Sequence, residues 1–261
     1  MTELIFQSNP WVFPTLVLIL LAVAIEVPYR LAQPLAAKMT KQFDAFNAIQ
    51  AGLFTLASFV LGLSFAQASA RFDTRRELVI KEANAIGTTW LRADQLEPKQ
   101  TERFRRILTN YTGARLKAYS TPSDQDLYAR TIVQSSRDQD AVWAMASSAM
   151  HAHQTNLGLS LLMETLNDTI DVSAEQLQAL TTHVPTVVVE LTVALVVLGA
   201  LSLGLRFAID RARPVFLSAI YVVAYVFVIS MMIDYDRPQT GFVNVNLNPL
   251  KLQLQLMQHE P

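Results

Sequence analysis

Cysteine is absent from the 261 residues. That removes disulfides, thiolate metal sites and cysteine nucleophiles, and leaves the redox compartment unread. Charge is scarce too. Charged side chains make up 16% of the chain and the net charge is −1, so no global basic field argues for nucleic acid. There is no glycine-rich phosphate loop, no HExxH helix and no nucleophile–base pairing. The sequence therefore carries no sign of an enzyme or of a cofactor. His151-Ala-His153 is half a zinc pattern without a third ligand at motif spacing, and no metal site is assigned. The N-terminus, MTELIFQSNPW, lacks the basic n-region and small-residue cleavage site of a signal peptide. The first apolar run therefore reads as a retained span.

What is present is apolar. Hydrophobic residues reach 51%, concentrated in four runs, which places the chain among helical integral membrane proteins. The expected fold class is all-α: four transmembrane helices with a helical soluble insert between the second and third. The division is 1–68 for spans 1 and 2, 69–184 for the insert, 185–234 for spans 3 and 4, and 235–261 for a tail. The first span runs from about Trp11 to Val27, with Trp11 and Tyr29 as interfacial anchors. At its edge Glu26 is placed to pair with Arg30. The connection Tyr29–Ala45 carries Lys38 and Lys41, and its Pro34 argues against a long helix.

Phe46 to Leu91 holds no proline. As one helix it would measure about 70 Å, more than twice the hydrocarbon core, so half of it would stand in water as a stalk. Apolar residues recur along the stalk at Phe72, Val79, Ala83, Ile86 and Trp90 on a helical period. Gly87, costly in mid-helix, points to the close approach of another helix. Pro98 opens a helix to about Tyr119. Thr121-Pro122-Ser123-Asp124 reads as a cap opening the next, to about His151, with Leu127, Ile132, Val142 and Met145 inward. A further helix covers about Leu157–Ile170, and Ser173-Ala-Glu-Gln176 reads as a capping box for a short one ending at His183. The third span is about Thr186–Phe207, with Ala200 and Gly204 as a small-xxx-small pair. After the turn at Arg206, Asp210, Arg211 and Arg213, Pro214 starts the fourth, which ends near Ile233. The tail sequence LKLQLQLM fits a strand by alternation or a short helix lying along another surface, and both remain open.

Three groups of residues are candidates for function. On the second span Asn47, Ala51, Thr55, Ser58 and Gly62 share one helix face. In a ring of subunits they would line a narrow, weakly polar pathway. Ser58, Gly62 and Ala66 also have the spacing of a close helix-packing seam, and the two roles can coexist. On the stalk, Arg75, Glu82 and Asn84 form a candidate polar network, either between subunits or inside a helical bundle. After the fourth span, Asp234, Asp236 and Arg237 follow the membrane exit. Two acids fall short of the oxygens a hard cation needs, which favours pairing with Arg237 or the 206–213 turn. Glu190 lies in the first turns of the third span, where an acid is a functional candidate.

The stalk sequence RFDTRRELVIKEANAIGTTWLR (Arg71–Arg92) resembles the signature of the bestrophin-like family of bacterial and plastid membrane proteins. Glu26, Tyr29 and Arg30 at the end of the first span fit that resemblance. So does the tail Asp234-Tyr-Asp236-Arg237-Pro238 with Gly241 and Pro249. Where the family's first-span motif has glycine, this chain has Pro28 and Ala32. The acidic calcium clasp of animal bestrophins has no counterpart. True bestrophins are pentameric anion or cation channels whose second span lines the pore and whose insert is cytoplasmic. The resemblance thus implies a homo-oligomeric ion channel for monovalent ions, a pentamer by analogy, in a bacterial inner membrane with the insert cytoplasmic. Its partners would be its own copies, the lipid bilayer and ions, with no nucleic acid. Charge alone does not orient the chain, because Lys and Arg are nearly balanced across the two sides. The competing expectation is a membrane-anchored sensor or scaffold whose helical insert binds a partner.

Overall fold

The computed structural model describes residues 11–35, 43–121, 124–237 and 243–259. Lys38, Lys41, Pro122, Ser123, Pro238 and Gly241 lie outside them. Among the described residues every regular element is helical: α1 Val12–Ala32, α2 Phe43–Arg92, α3 Pro98–Ser120, α4 Gln125–Ala152, α5 Leu157–Thr181, α6 Thr186–Asp210, α7 Val215–Asp236 and α8 Asn248–His259. Four stretches, in α1, α2, α6 and α7, are long and apolar enough to cross a membrane. Contacts divide the chain into two compact units. The first is Met1–Arg71 with His183–Val243, and the second is Phe72–Thr182 with Asn244–Pro261.

The first unit is built on α1, α6, α7 and the first part of α2. Its core is Leu21, Ala24, Ala57, Leu61, Val196, Ala200, Ile229 and their neighbours. Gly204 has the packing role its spacing suggested: a Cβ there would collide with the backbone carbonyl of Ile25 on α1. Only a hydrogen side chain lets two helix backbones come this close. Contrary to the expected end near Val27, α1 runs through Pro28 to Ala32. The proline deprives the Ala24 carbonyl of its usual donor. Ala24 and Ile25 are buried in the same turns, so packing holds the helix on. Arg211, with φ of 50°, supplies the left-handed residue that ends α6, and Arg206 pairs with Asp210 at 2.9 Å.

The second unit packs the stalk part of α2 with α3, α4, α5 and α8 around Val79, Ile86, Trp90, Phe104, Leu108, Val142, Leu162 and Leu166. As expected from the absence of proline, α2 is a single helix of 50 residues, about 75 Å long. Four of the five expected apolar stalk positions are buried, and Phe72 is half-buried.

Three local expectations give way. The Ser173 box does not start a helix: α5 is continuous over Leu157–Thr181, and the Ser173 hydroxyl donates to the Ile170 carbonyl. Thr121 does not cap α4; its hydroxyl turns back to the Lys117 carbonyl, while Asp124 accepts from the Leu127 N–H at 2.9 Å. On α4 Val142 is buried, but Leu127, Ile132 and Met145 are only half-buried, and Thr131, Ser135 and Asp138 are inward. The tail is a helix. Leu250 and Met257 are buried with Gln253 and Leu254 half-buried between them, while Leu252 and Leu256 remain exposed. That selection follows the helical period of three and four. Gln253 is also what Gly87 accommodates: a Cβ at Gly87 would lie 2.9 Å from its Oε1.

Candidate functional site

An α-helix advances about 100° per residue, and on α2 this sorts the first unit's residues into three sectors. Ala57, Leu61, Ser64 and Ala68 are buried and face α6 and α7. The Ser64 hydroxyl lies 3.2 Å from that of Thr192, and Gln50 donates to the Ser202 hydroxyl. Asn47, Ala51, Thr55, Ser58 and Gly62 are all exposed on the folded chain, and nothing stands within 4 Å of a Cβ built at Gly62. The third sector carries the exposed bulky residues Ile49, Leu56, Phe59 and Leu63. Within the stripe, the Thr55 hydroxyl turns back to the Ala51 carbonyl. Ser58 is 3.4 Å from the Tyr225 hydroxyl on α7, which puts it at the margin of the stripe. Apart from Ser58, the stripe is left exposed by the subunit's own packing.

The stalk's polar residues divide. Arg75, Glu82 and Thr89 recur every seven residues on the buried side of α2 and are almost fully enclosed. Asn84 lies on the exposed side and is not part of that set. Arg75 donates from Nε to the Ala179 carbonyl and from Nη2 to the Thr182 carbonyl, at 3.0 and 2.9 Å, tying the end of α5 to α2. Glu82 is met by α3. Its Oε1 accepts from Arg115 Nε at 2.7 Å and from the Tyr111 hydroxyl, and its Oε2 accepts from the Tyr119 hydroxyl. Arg115 also donates to the Ser173 carbonyl and stacks on the Tyr119 ring at 4.7 Å. Burial, then the Glu82 carboxylate, push both phenols above their ordinary range. Burial works against the Arg115 charge, but Glu82 and the two phenols hold its guanidinium above its ordinary value.

Sequence reasoning missed Tyr111, Arg115 and Tyr119. Their spacing of four places all three on one face of α3, a signal that was available.

Past the expected end near Ile233, α7 continues to Asp236, and in this last turn the Asp236 carboxylate accepts the Val184 N–H at 2.9 Å and lies 3.5 Å from His183 Nδ1. Asp234 accepts the Val243 N–H at 2.8 Å. These acids fix the chain as it leaves α7 and enters α6. Arg237 ends α7, its N–H donating to the Ile233 carbonyl. Glu26 pairs with Arg30 at 2.6 Å, as expected, and also with Arg213 at 2.8 Å. Glu190 is exposed. His151 binds the Ser147 carbonyl of its own helix.

The profile of the bestrophin-like domain matches residues 17–250. Solved structures of a bacterial bestrophin homologue from Klebsiella pneumoniae are similar along nearly the whole chain. One single-substitution variant superposes with a TM-score of 0.69 at 17% identity, covering 94% of this chain and 99% of that one. A second variant gives 0.70 at 15%, covering 94% and 98%. The structure of that homologue phased on zinc gives 0.65 at 16%, covering 95% and 98%. No curated protein matches the chain.

Proposed function

The chain belongs to the bestrophin-like family, and we propose on that premise that it forms a homo-oligomeric channel through which monovalent ions pass passively. The pathway is lined by Asn47, Ala51, Thr55, Ser58 and Gly62 of α2. One observation carries this reading. The weakly polar, small-residue stripe is left exposed by a subunit whose packing is already complete on another side of the same helix. Such a surface suits the axis of a ring better than lipid, which favours the neighbouring sector of Ile49, Leu56, Phe59 and Leu63. No motif for nucleotide-driven pumping is present, in keeping with passive flow. A pentamer in a bacterial inner membrane, with 69–184 as a cytoplasmic insert, follows by analogy of layout. Of the stalk residues, Arg75 and Glu82 bond within the subunit. Asn84 is the one left available to a neighbouring copy. Asp234, Asp236 and Arg237 set the path of the chain after α7.

The test is flux of sodium, potassium and chloride from liposomes holding the purified protein, with oligomer size measured on the same samples. Ser58→Leu and Gly62→Leu are expected to lower flux with the oligomer intact, because a bulky apolar ring narrows and dewets a pore. Loss of the oligomer in both variants would assign the stripe to packing alone. An intact oligomer with no flux of any of the three ions would overturn the channel and favour the scaffold.

A further inference from the structure

The second unit has a cleft of about 550 Å³ where the end of α2, the start of α3 and α8 meet. That volume is within the range of small-molecule sites. Its apolar wall includes Leu96, Pro98, Met257 and the ring of Trp90, and its polar wall holds Arg105 and Arg106 together with the acids each pairs with, Asp94 and Glu102. Trp90 is 5% exposed and Arg105 lies over its ring at 5.0 Å. Arg105 uses Nη2 for Asp94 at 3.0 Å. Its Nε–H is enclosed and has no acceptor among the described residues, and the same is true of the Trp90 Nε1–H. Arg106, an exposed side chain, pairs with Glu102 at 2.9 Å.

We propose that this cleft binds a small organic carboxylate. A guanidinium donates strongly to a carboxylate, and with Arg105 Nη2 engaged by Asp94 its Nε–H is a donor left unused beside the cleft. Arg106, next in sequence, adds a second positive group. The apolar body of the ligand rests on Leu96, Pro98 and Met257, so the site selects an acid with a short chain or a single ring. It stands on the second unit alone and does not depend on ion conduction.

The experiment uses the full chain in detergent with Trp11→Phe and Trp143→Phe, which leaves Trp90 as the reporter. Benzoate and hexanoate are titrated while Trp90 emission is followed, with benzamide and hexanamide as uncharged counterparts. At least one acid is expected to give a saturable change with a Kd at or below about 1 mM. Its amide should bind about tenfold or more weakly, the loss of a charge-assisted pair. Arg105→Lys keeps the charge but removes the Nε–H donor, and should weaken the acid about tenfold at unchanged thermal stability. Arg106→Gln, a surface change, should weaken it less and serves if the first variant fails to fold. No saturable response to either acid would overturn the proposal and leave the cleft to solvent. Equal binding of acid and amide would overturn it too, as would affinity unchanged in both arginine variants.

Discussion

Glu82 Oε1 and Arg115 Nε are 2.7 Å apart, and both side chains are sealed from solvent. Two ions so placed have lost their hydration and depend on each other. Removing one alone strands the other. Glu82→Leu or Arg115→Met is each expected to cost about 3–5 kcal/mol of stability. The paired change should cost far less than the sum, read from thermal unfolding as a double-mutant cycle. In the same assay Arg75→Met with Glu82→Leu is expected to be close to additive, since the two residues bond to different helices. Additive losses for the first pair would show that the contact is not formed in solution.

The phenols on that carboxylate make stability fall in alkali. Tyr111 and Tyr119 are held above their ordinary values. Their neutral forms therefore contribute stability that is fully present below the unfolded value of about 10 and is lost as pH rises through the higher folded values. The melting temperature should hold steady from about pH 7 to 9 and drop above about pH 10. Tyr111→Phe and Tyr119→Phe should be less stable at neutral pH, and their deficit should shrink as pH rises. A deficit independent of pH would contradict the linkage.

Two glycines should respond to alanine in opposite directions. At Gly204 the new methyl meets the backbone of α1, which cannot step aside, so Gly204→Ala is expected to destabilise by about 1–3 kcal/mol. At Gly87 it meets the end of the flexible Gln253 side chain. There the gain in helix propensity, about 1 kcal/mol, should prevail, leaving Gly87→Ala neutral or stabilising. Thermal scans of both variants decide the matter, and a stabilising Gly204→Ala would refute the close crossing.

The absence of native cysteine makes topology simple to read. Ser136 lies exposed on α4. A single cysteine there should resist an impermeant thiol reagent in intact cells and react after lysis if the insert is cytoplasmic. Labelling before lysis would reverse the orientation.

Much of this fold was legible from local signals. The apolar runs, the proline-free α2 and the Pro98 start all depend on a few neighbouring residues. The small pair Ala200 and Gly204 could be read for the same reason. Partnerships across the chain were harder. Glu82 was read into a polar network beside the stalk's apolar stripe, but its partners lie 29 to 37 residues away on another helix. Asn84 lies next to that stripe in sequence, yet about 200° around the helix from Glu82. The tail was ambiguous because its leucines satisfy both periods. Only the surface it meets, at Gly87 and Thr112, selects the helix. The first span was ended too early, near Val27, because the packing of α1 against α6 is a tertiary fact.

The clasp of α1 by α6 also sets a timetable for synthesis. Arg213 leaves the ribosome 187 residues after Glu26. At about 5–20 residues per second, that is about 10–40 s later. Throughout that wait the first span has neither the glycine notch it nests in nor its distant counter-charge. Arg30, four residues on, is the one partner already made. The local pair thus shields the acid until Arg213 is made, so α1 is locked in place well after its own synthesis.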